Sequence, residues 1–259
     1  MAQTRSTDGI AIDWEVVGDG PTVVLVHGIT ERRETWAPIV ARLAGDHRVV
    51  TLDLRGHGAS ESGGSYDLGT LATDVGAVID EAAPAGAHLV GHSLGGAVVS
   101  AVAGARPVRS VVNVDQSLAL AEFKDALVAA EGALRDPATF PFVIAALFDS
   151  MRGPLSDAES ERVAALRRPD QAVVLGIWAA VLELPAAELE RTVDATVRGC
   201  RAPYLSLFGI DPGPGYDAWL QARIPTATVE RWADHGHYPH LVDPDRFVDR
   251  LRSFWATIG

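Results

Sequence analysis

The sequence predicts an α/β fold, a mostly parallel central sheet flanked by helices, with a block of helices set into it. Three observations carry the prediction. Short apolar, β-branched runs recur at Thr22–Val26, Arg48–Leu52, His88–Val90, Ser110–Val114 and Tyr204–Phe208. Continuous runs of this length suit strands buried on both faces. Helix-like stretches lie between them, Thr70–Glu81 after a polar turn and the Ala/Val-rich Leu94–Ala105, which gives the strand–helix–strand rhythm of a parallel sheet. That rhythm breaks after Val114 and resumes at Pro203, and the intervening segment reads as helical.

Each element follows from local chemistry. Ile10–Val17 alternates more than the later runs, so it is expected in an antiparallel edge hairpin. Ser156-Asp-Ala-Glu159 has the spacing of a capping box, and Pro185 is placed as the first helical residue of Pro185–Arg198. Ala227–Trp232 reads as the last strand and Asp245–Thr257 as the terminal helix. The expected organisation is a core of residues 1–116 and 200–259 with a helical cap, 117–199, inserted after the strand that follows Leu94–Ala105. Such a cap would cover the carboxyl ends of the strands, where open α/β sheets place their ligands.

Composition narrows the function classes. The 259 residues include 25 glycines and 15 prolines, and 22 basic against 34 acidic residues give a net charge of −12. So acidic a surface repels phosphate backbones and anionic lipid, so no nucleic-acid or membrane partner is expected. Cys200 is the single cysteine, so no disulfide can form within the chain, and it reads as a small buried hydrophobe. The first residues lack the apolar stretch of a secretory signal, and no run approaches the ~20 apolar residues of a membrane span. The simplest expectation is a cytoplasmic monomer or homodimer.

Chemistry concentrates at Gly91-His92-Ser93-Leu94-Gly95-Gly96, between an apolar run and a helical stretch. Gly-x-Ser-x-Gly in that context is a nucleophile elbow, a turn too tight for side chains at its glycines, which projects the Ser93 hydroxyl from the backbone. Serine is a poor nucleophile without a base in reach. Asp234-His-Gly-His-Tyr-Pro-His240 supplies the candidates. His237 is preferred because Gly236 lets the backbone turn before it; His235 and His240 are its rivals. The three histidines also have the close spacing of a zinc cluster, but no second ligand cluster accompanies them, so no metal and no organic cofactor is expected. For the oxyanion formed by serine attack, the peptide N–H groups of Leu94 and Ile29 are the expected donors.

With these residues in view the chain resembles the α/β-hydrolase superfamily, in its lidded serine esterase, lactonase and C–C hydrolase branch. The resemblance rests on His27-Gly28, on Asp53-Leu-Arg-Gly-His-Gly-Ala-Ser60, on the Ser93 elbow, and on Gly236-His237 followed by Asp243-Pro244. It implies the α/β-hydrolase fold, a structural rather than catalytic role for Asp53–Ser60, and an acid that orients the histidine. The usual site of that acid is a Gly-x-x-Asp, and Gly209-Ile-Asp211 is one residue shorter. Asp211 and Asp115 stand as alternatives, Asp211 placed narrowly first; Asp115 ends Ser110–Val114, where certain fungal-toxin lactonases and haloalkane dehalogenases carry their acid. Asp217 comes third.

The expected reaction is acyl transfer from an apolar or aromatic carboxylic ester or lactone to water, through Ser93. Ser93 argues against the epoxide hydrolases and haloalkane dehalogenases, which put aspartate at the elbow. A C–C bond hydrolase of ring-cleavage products, a perhydrolase, and a vestigial small-molecule receptor are the alternatives. Trp36, Tyr238, Trp178 and Phe148 are the expected substrate contacts, with Phe123, Phe140, Phe142 and Met151 as further apolar cap residues.

Overall fold

The computed structural model describes residues 2–258. β1 (Ala2–Arg5) pairs antiparallel with β2 (Ala11–Val17), and β2 pairs antiparallel with β4 (Arg48–Leu52). The remaining strands are β3 (Thr22–Val26), β5 (His88–His92), β6 (Ser110–Val114), β7 (Tyr204–Phe208) and β8 (Ala227–Arg231), all parallel. The sheet order is β1-β2-β4-β3-β5-β6-β7-β8. The five apolar runs are therefore all strands, and the alternating segment near the start forms the antiparallel margin. β1 takes the outer edge, an element that the polar Ala-Gln-Thr-Arg gave little reason to expect.

Every residue of β5, β6 and β7 is buried, because helices cover both faces. On one face lie α2 (Leu68–Ala82) and α3 (Leu94–Ala105), with Val75, Val98 and Val102 against Val24, Leu89 and Val111. On the other lie α1 (Ala37–Leu43) and α11 (Pro244–Ala256), with Leu43, Phe247 and Leu251 against Val23, Val90 and Val112. Each such aliphatic side chain contributes about 1.5–3 kcal/mol on burial, so the central strands anchor the loops that follow them. Asp67 caps α2 by accepting from the Thr70 N–H at 2.9 Å.

Between β6 and β7 the chain forms α4 (Ala121–Arg135), α5 (Phe140–Met151), α6 (Asp157–Leu166), α7 (Gln171–Glu183) and α8 (Ala186–Val197). Ser156 caps α6 on the Glu159 N–H, as its spacing predicts. Pro185 sits at the N-cap of α8 rather than at its first helical position, because its extended ψ of 147° ends the preceding turn. α4, α5 and α7 share a core of their own around Leu134, Ile144, Phe148 and Trp178. α8 departs from that group. Leu189 joins the insertion's core, while Val193 and Val197 pack into the cluster beside α3, so this helix belongs to both layers. Two short elements, α9 (Tyr216–Gln221) and α10 (Pro239–Val242), complete the fold. Among the described residues no single helix is long and apolar enough to cross a membrane.

Candidate active site

Ser93 stands between β5 and α3 with φ 51° and ψ −127°, a conformation that costs a non-glycine residue roughly 1–3 kcal/mol and persists only where its surroundings enforce it. The enforcement is visible. The Ser93 N–H donates to the Val114 carbonyl at 2.9 Å, and Gly95 lies so close to the Val26 and His27 carbonyls that a Cβ would overlap them. The elbow is thus pinned between β3 and β6.

His237 is held at three points. Its N–H donates to the Met151 carbonyl at 2.9 Å, at the end of α5, and its own carbonyl accepts from His92 Nε2 at 2.7 Å. Its ring Nδ1 donates to Asp115 Oδ2 at 2.7 Å, which leaves Nε2 as the ring's acceptor. The rings of His92 and His237 are 4.7 Å apart, so the histidine adjoins the elbow. Gly236, with φ +61°, makes the turn before it against Gly153. His235 is half-buried and bonds the Ala233 carbonyl, and His240 is fully buried beside Trp36 at 4.6 Å, so neither rival meets an acid. Among the described residues no group of His, Cys, Asp and Glu is arranged to hold a metal.

The acid partner is where the order of preference requires correction. Asp115, left-handed at φ +53° as it leaves β6, receives the His237 Nδ1–H on one oxygen. On the other it receives the N–H groups of Gly209 and Ile210 at 2.7 and 2.9 Å. Asp211 is instead exposed, accepting from the Gly213 N–H at 3.1 Å and pairing with Arg231 at 3.2 Å. Asp217 also pairs with Arg231. The shortened Gly-Ile-Asp segment turns too early to carry its carboxylate inward, and its backbone amides serve Asp115 instead.

The loop after β3 supplies the other half. A Cβ built on Gly28 would lie 3.2 Å from Ser93 Cβ, so this loop runs directly beside the elbow. The Thr30 N–H donates to His57 Nε2 at 3.1 Å, and Thr30 is left-handed at φ +64°. Among the described residues the peptide N–H groups of Ile29 and Leu94 have no acceptor. Both adjoin the elbow, Leu94 directly after Ser93 and Ile29 directly after Gly28.

One buried group went unread in the sequence. Glu31, 2% exposed, accepts from the Gly28 N–H at 3.1 Å and from the Tyr238 hydroxyl at 2.9 Å, and lies 3.5 Å from His92 Nδ1. Burial alone would raise its pKa, but His92 and the Arg167 guanidinium hold it well below the usual carboxylate range. No local pattern marks Glu31; only the fold brings its partners together.

Of the expected substrate contacts, Phe148 and Trp178 lie in the insertion's core together with Ile29, and Leu94 packs against that cluster. Tyr238 is buried in the Glu31 network, and its hydroxyl accepts from Arg167 Nη2 at 2.5 Å. Trp36 is a correction. It is completely buried with Phe247 and Leu251 between the sheet and α11, so it is a core residue and not a pocket wall. Phe142 is 74% exposed and faces away from that core.

A model of the alpha/beta hydrolase family matches residues 23–250. The chain belongs to that family. Protein phosphatase methylesterase 1 of Mus musculus is 35% identical over 159 residues, which is 56% of this chain and 40% of that protein. The chain spans less than half the length of the curated relatives it matches. Among solved structures, an aryl esterase from Burkholderia cenocepacia, described there as putative, superposes with a TM-score of 0.77 at 26% identity, covering 99% of this chain and 98% of that one. An enzyme that degrades N-acyl homoserine lactones superposes with a TM-score of 0.74 at 22% identity over 98% of this chain and 100% of its own, a likeness of fold. Esterases and methylesterases recur among the relatives of this alpha/beta hydrolase, which supports a hydrolase.

Proposed function

We propose that this alpha/beta hydrolase cleaves a carboxylic ester or lactone through an acyl-enzyme, with Ser93 as nucleophile, His237 as base and Asp115 as the acid that orients it. The observation that carries the reading is the 2.7 Å bond from His237 Nδ1 to Asp115 beside a left-handed elbow serine. A base whose outer nitrogen is fixed by a carboxylate presents its inner nitrogen as acceptor, which is what a serine hydroxyl needs.

In the first step Ser93 Oγ bonds to the carbonyl carbon as its proton passes to His237 Nε2. The oxygen becomes an oxyanion held by the N–H groups of Ile29 and Leu94, and Asp115 stabilises the imidazolium. Collapse breaks the ester C–O bond, and the leaving alkoxide takes the proton from His237. In the second step His237 deprotonates water, the hydroxide attacks the acyl carbon, and the proton returns to Ser93 as the carboxylic acid leaves. In a lactone the alcohol and the acid are parts of one product.

Substrate class follows from the insertion acting as a lid. Phe148 and Trp178, clustered with Ile29, favour an apolar or aromatic substituent, and the low exposure of Ser93 and His237 (9% and 6%) favours a reaction shielded from bulk water. A fluorophosphonate probe tests the nucleophile. Wild type is expected to label at Ser93 and to hydrolyse p-nitrophenyl esters, and Ser93→Ala to do neither. An unlabelled Ser93 in a chain that still binds an aromatic ester would favour a receptor and end the hydrolase reading.

A further inference from the structure

Glu31 lies outside the triad, yet its contacts reach the residues directly beside Ser93 and His237. One carboxylate oxygen takes the Gly28 N–H, in the peptide unit just before the Ile29 N–H that is to receive the oxyanion. The same oxygen stands 3.5 Å from His92 Nδ1, and the far nitrogen of that ring donates to the His237 carbonyl at 2.7 Å. The second oxygen takes the hydroxyl proton of Tyr238, the residue after His237. Tyr238 in turn accepts from Arg167, whose guanidinium rests 3.9 Å over the Phe148 ring of the insertion. The next residue, Arg168, donates its N–H to the Thr30 carbonyl at 2.9 Å.

We propose that Glu31 is a positioning residue for the hydrolytic reaction, its carboxylate fixing the oxyanion loop and the His237 backbone in one register with the lid. The proposal rests on the serine-hydrolase reading of this site. An apolar residue there would fill the same space; an acceptor is required because three groups point at it with protons or the capacity to carry them. The Tyr238 hydroxyl has no other choice. Its oxygen already accepts from Arg167, so its proton goes to Glu31. A glutamine cannot replace the carboxylate. Its single carbonyl oxygen serves either Gly28 or Tyr238, and its NH₂ group then faces a donor at the other position, inside a buried site where an unmet polar contact displaces the backbone.

The test compares Glu31→Gln, Glu31→Asp and wild type on a p-nitrophenyl ester, with circular dichroism confirming the folded fraction. Glu31→Gln is expected to lower kcat by about tenfold or more, as small misplacements at a reacting centre do, while KM stays within about twofold. Glu31→Asp keeps both acceptor oxygens and is expected to recover part of that loss. A folded Glu31→Gln enzyme with wild-type kcat, or one changed only in KM, overturns the proposal and leaves the hydrolase reading standing. Should Glu31→Gln not fold, Tyr238→Phe decides the matter: it removes only the hydroxyl, and an unchanged kcat overturns the proposal. Failure of wild type to label with fluorophosphonate would instead overturn the reading on which the proposal stands.

Discussion

Two aspartates compete for one histidine on paper, and their backbones decide between them. Asp115 leaves β6 in a left-handed turn, which brings its side chain across to His237 and leaves its second oxygen to gather the Gly209 and Ile210 amides. Asp211 points outward to Arg231. Asp115→Asn is therefore expected to lower kcat by up to about 10⁴-fold, because an amide can hold the imidazole in the wrong tautomer and cannot stabilise its cation. Asp211→Asn is expected to remain within about twofold of wild type, since an exposed ion pair contributes little. Steady-state kinetics of the two variants on one ester checks this, and equal losses would contradict it. Ser93 and His237 stand out in the sequence as candidates because each sits in a compact local motif. The sequence could not rank the aspartates, since an orientation set by φ at one residue leaves no mark on spacing. Glu31 was less legible still, as its partners lie 3, 61 and 207 positions away in the chain.

At the scale of elements, every strand but the polar β1 was legible to within a residue or two, the parallel ones because buried parallel strands are short, apolar and bounded by turns. The helices of the insertion were legible as helices but not in their allegiance. α8 has one face for the other inserted helices and one for α3, and a single amphipathic period cannot say which neighbour takes which residue. The insertion also reaches the loop that carries His237. Gly153, left-handed at φ +59° just past α5, approaches Gly236 so closely that a Cβ would lie 2.7 Å from the Gly236 Cα. Beside this contact the Met151 carbonyl takes the His237 N–H. Gly153→Ala is expected to cost about 1 kcal/mol or more of stability through its positive φ. It should also push the histidine loop outward and lower kcat by about tenfold. Thermal melts and ester kinetics on the same preparation check both, and a variant that loses stability while keeping its kcat would mean the contact is purely structural.

Taken as a whole, the molecule buries an unusual amount of imidazole, and this gives its stability a pH dependence that composition alone would not suggest. Burial beside His27 holds His57 down to about 3, and burial holds His88 down to about 4; desolvation next to His92 keeps His240 well below its ordinary value. In the unfolded chain each returns to about 6.5. Below that pH the unfolded state binds more protons than the native one, so unfolding becomes easier as pH falls. The contribution is complete above about pH 6.5 and drains away as pH drops toward the native values, at about 1.4 kcal/mol per pH unit for each such group. Glu31 acts in the same direction but only below the ordinary carboxylate range near 4.5, so the window from pH 6.5 to 4.5 belongs to the histidines. Urea unfolding at pH 7, 6 and 5 should show stability falling across that window. His57→Gln, which removes one titrating ring, should fall less steeply by about 1.4 kcal/mol per unit, and a variant as steep as wild type would show that His57 takes up no proton on unfolding.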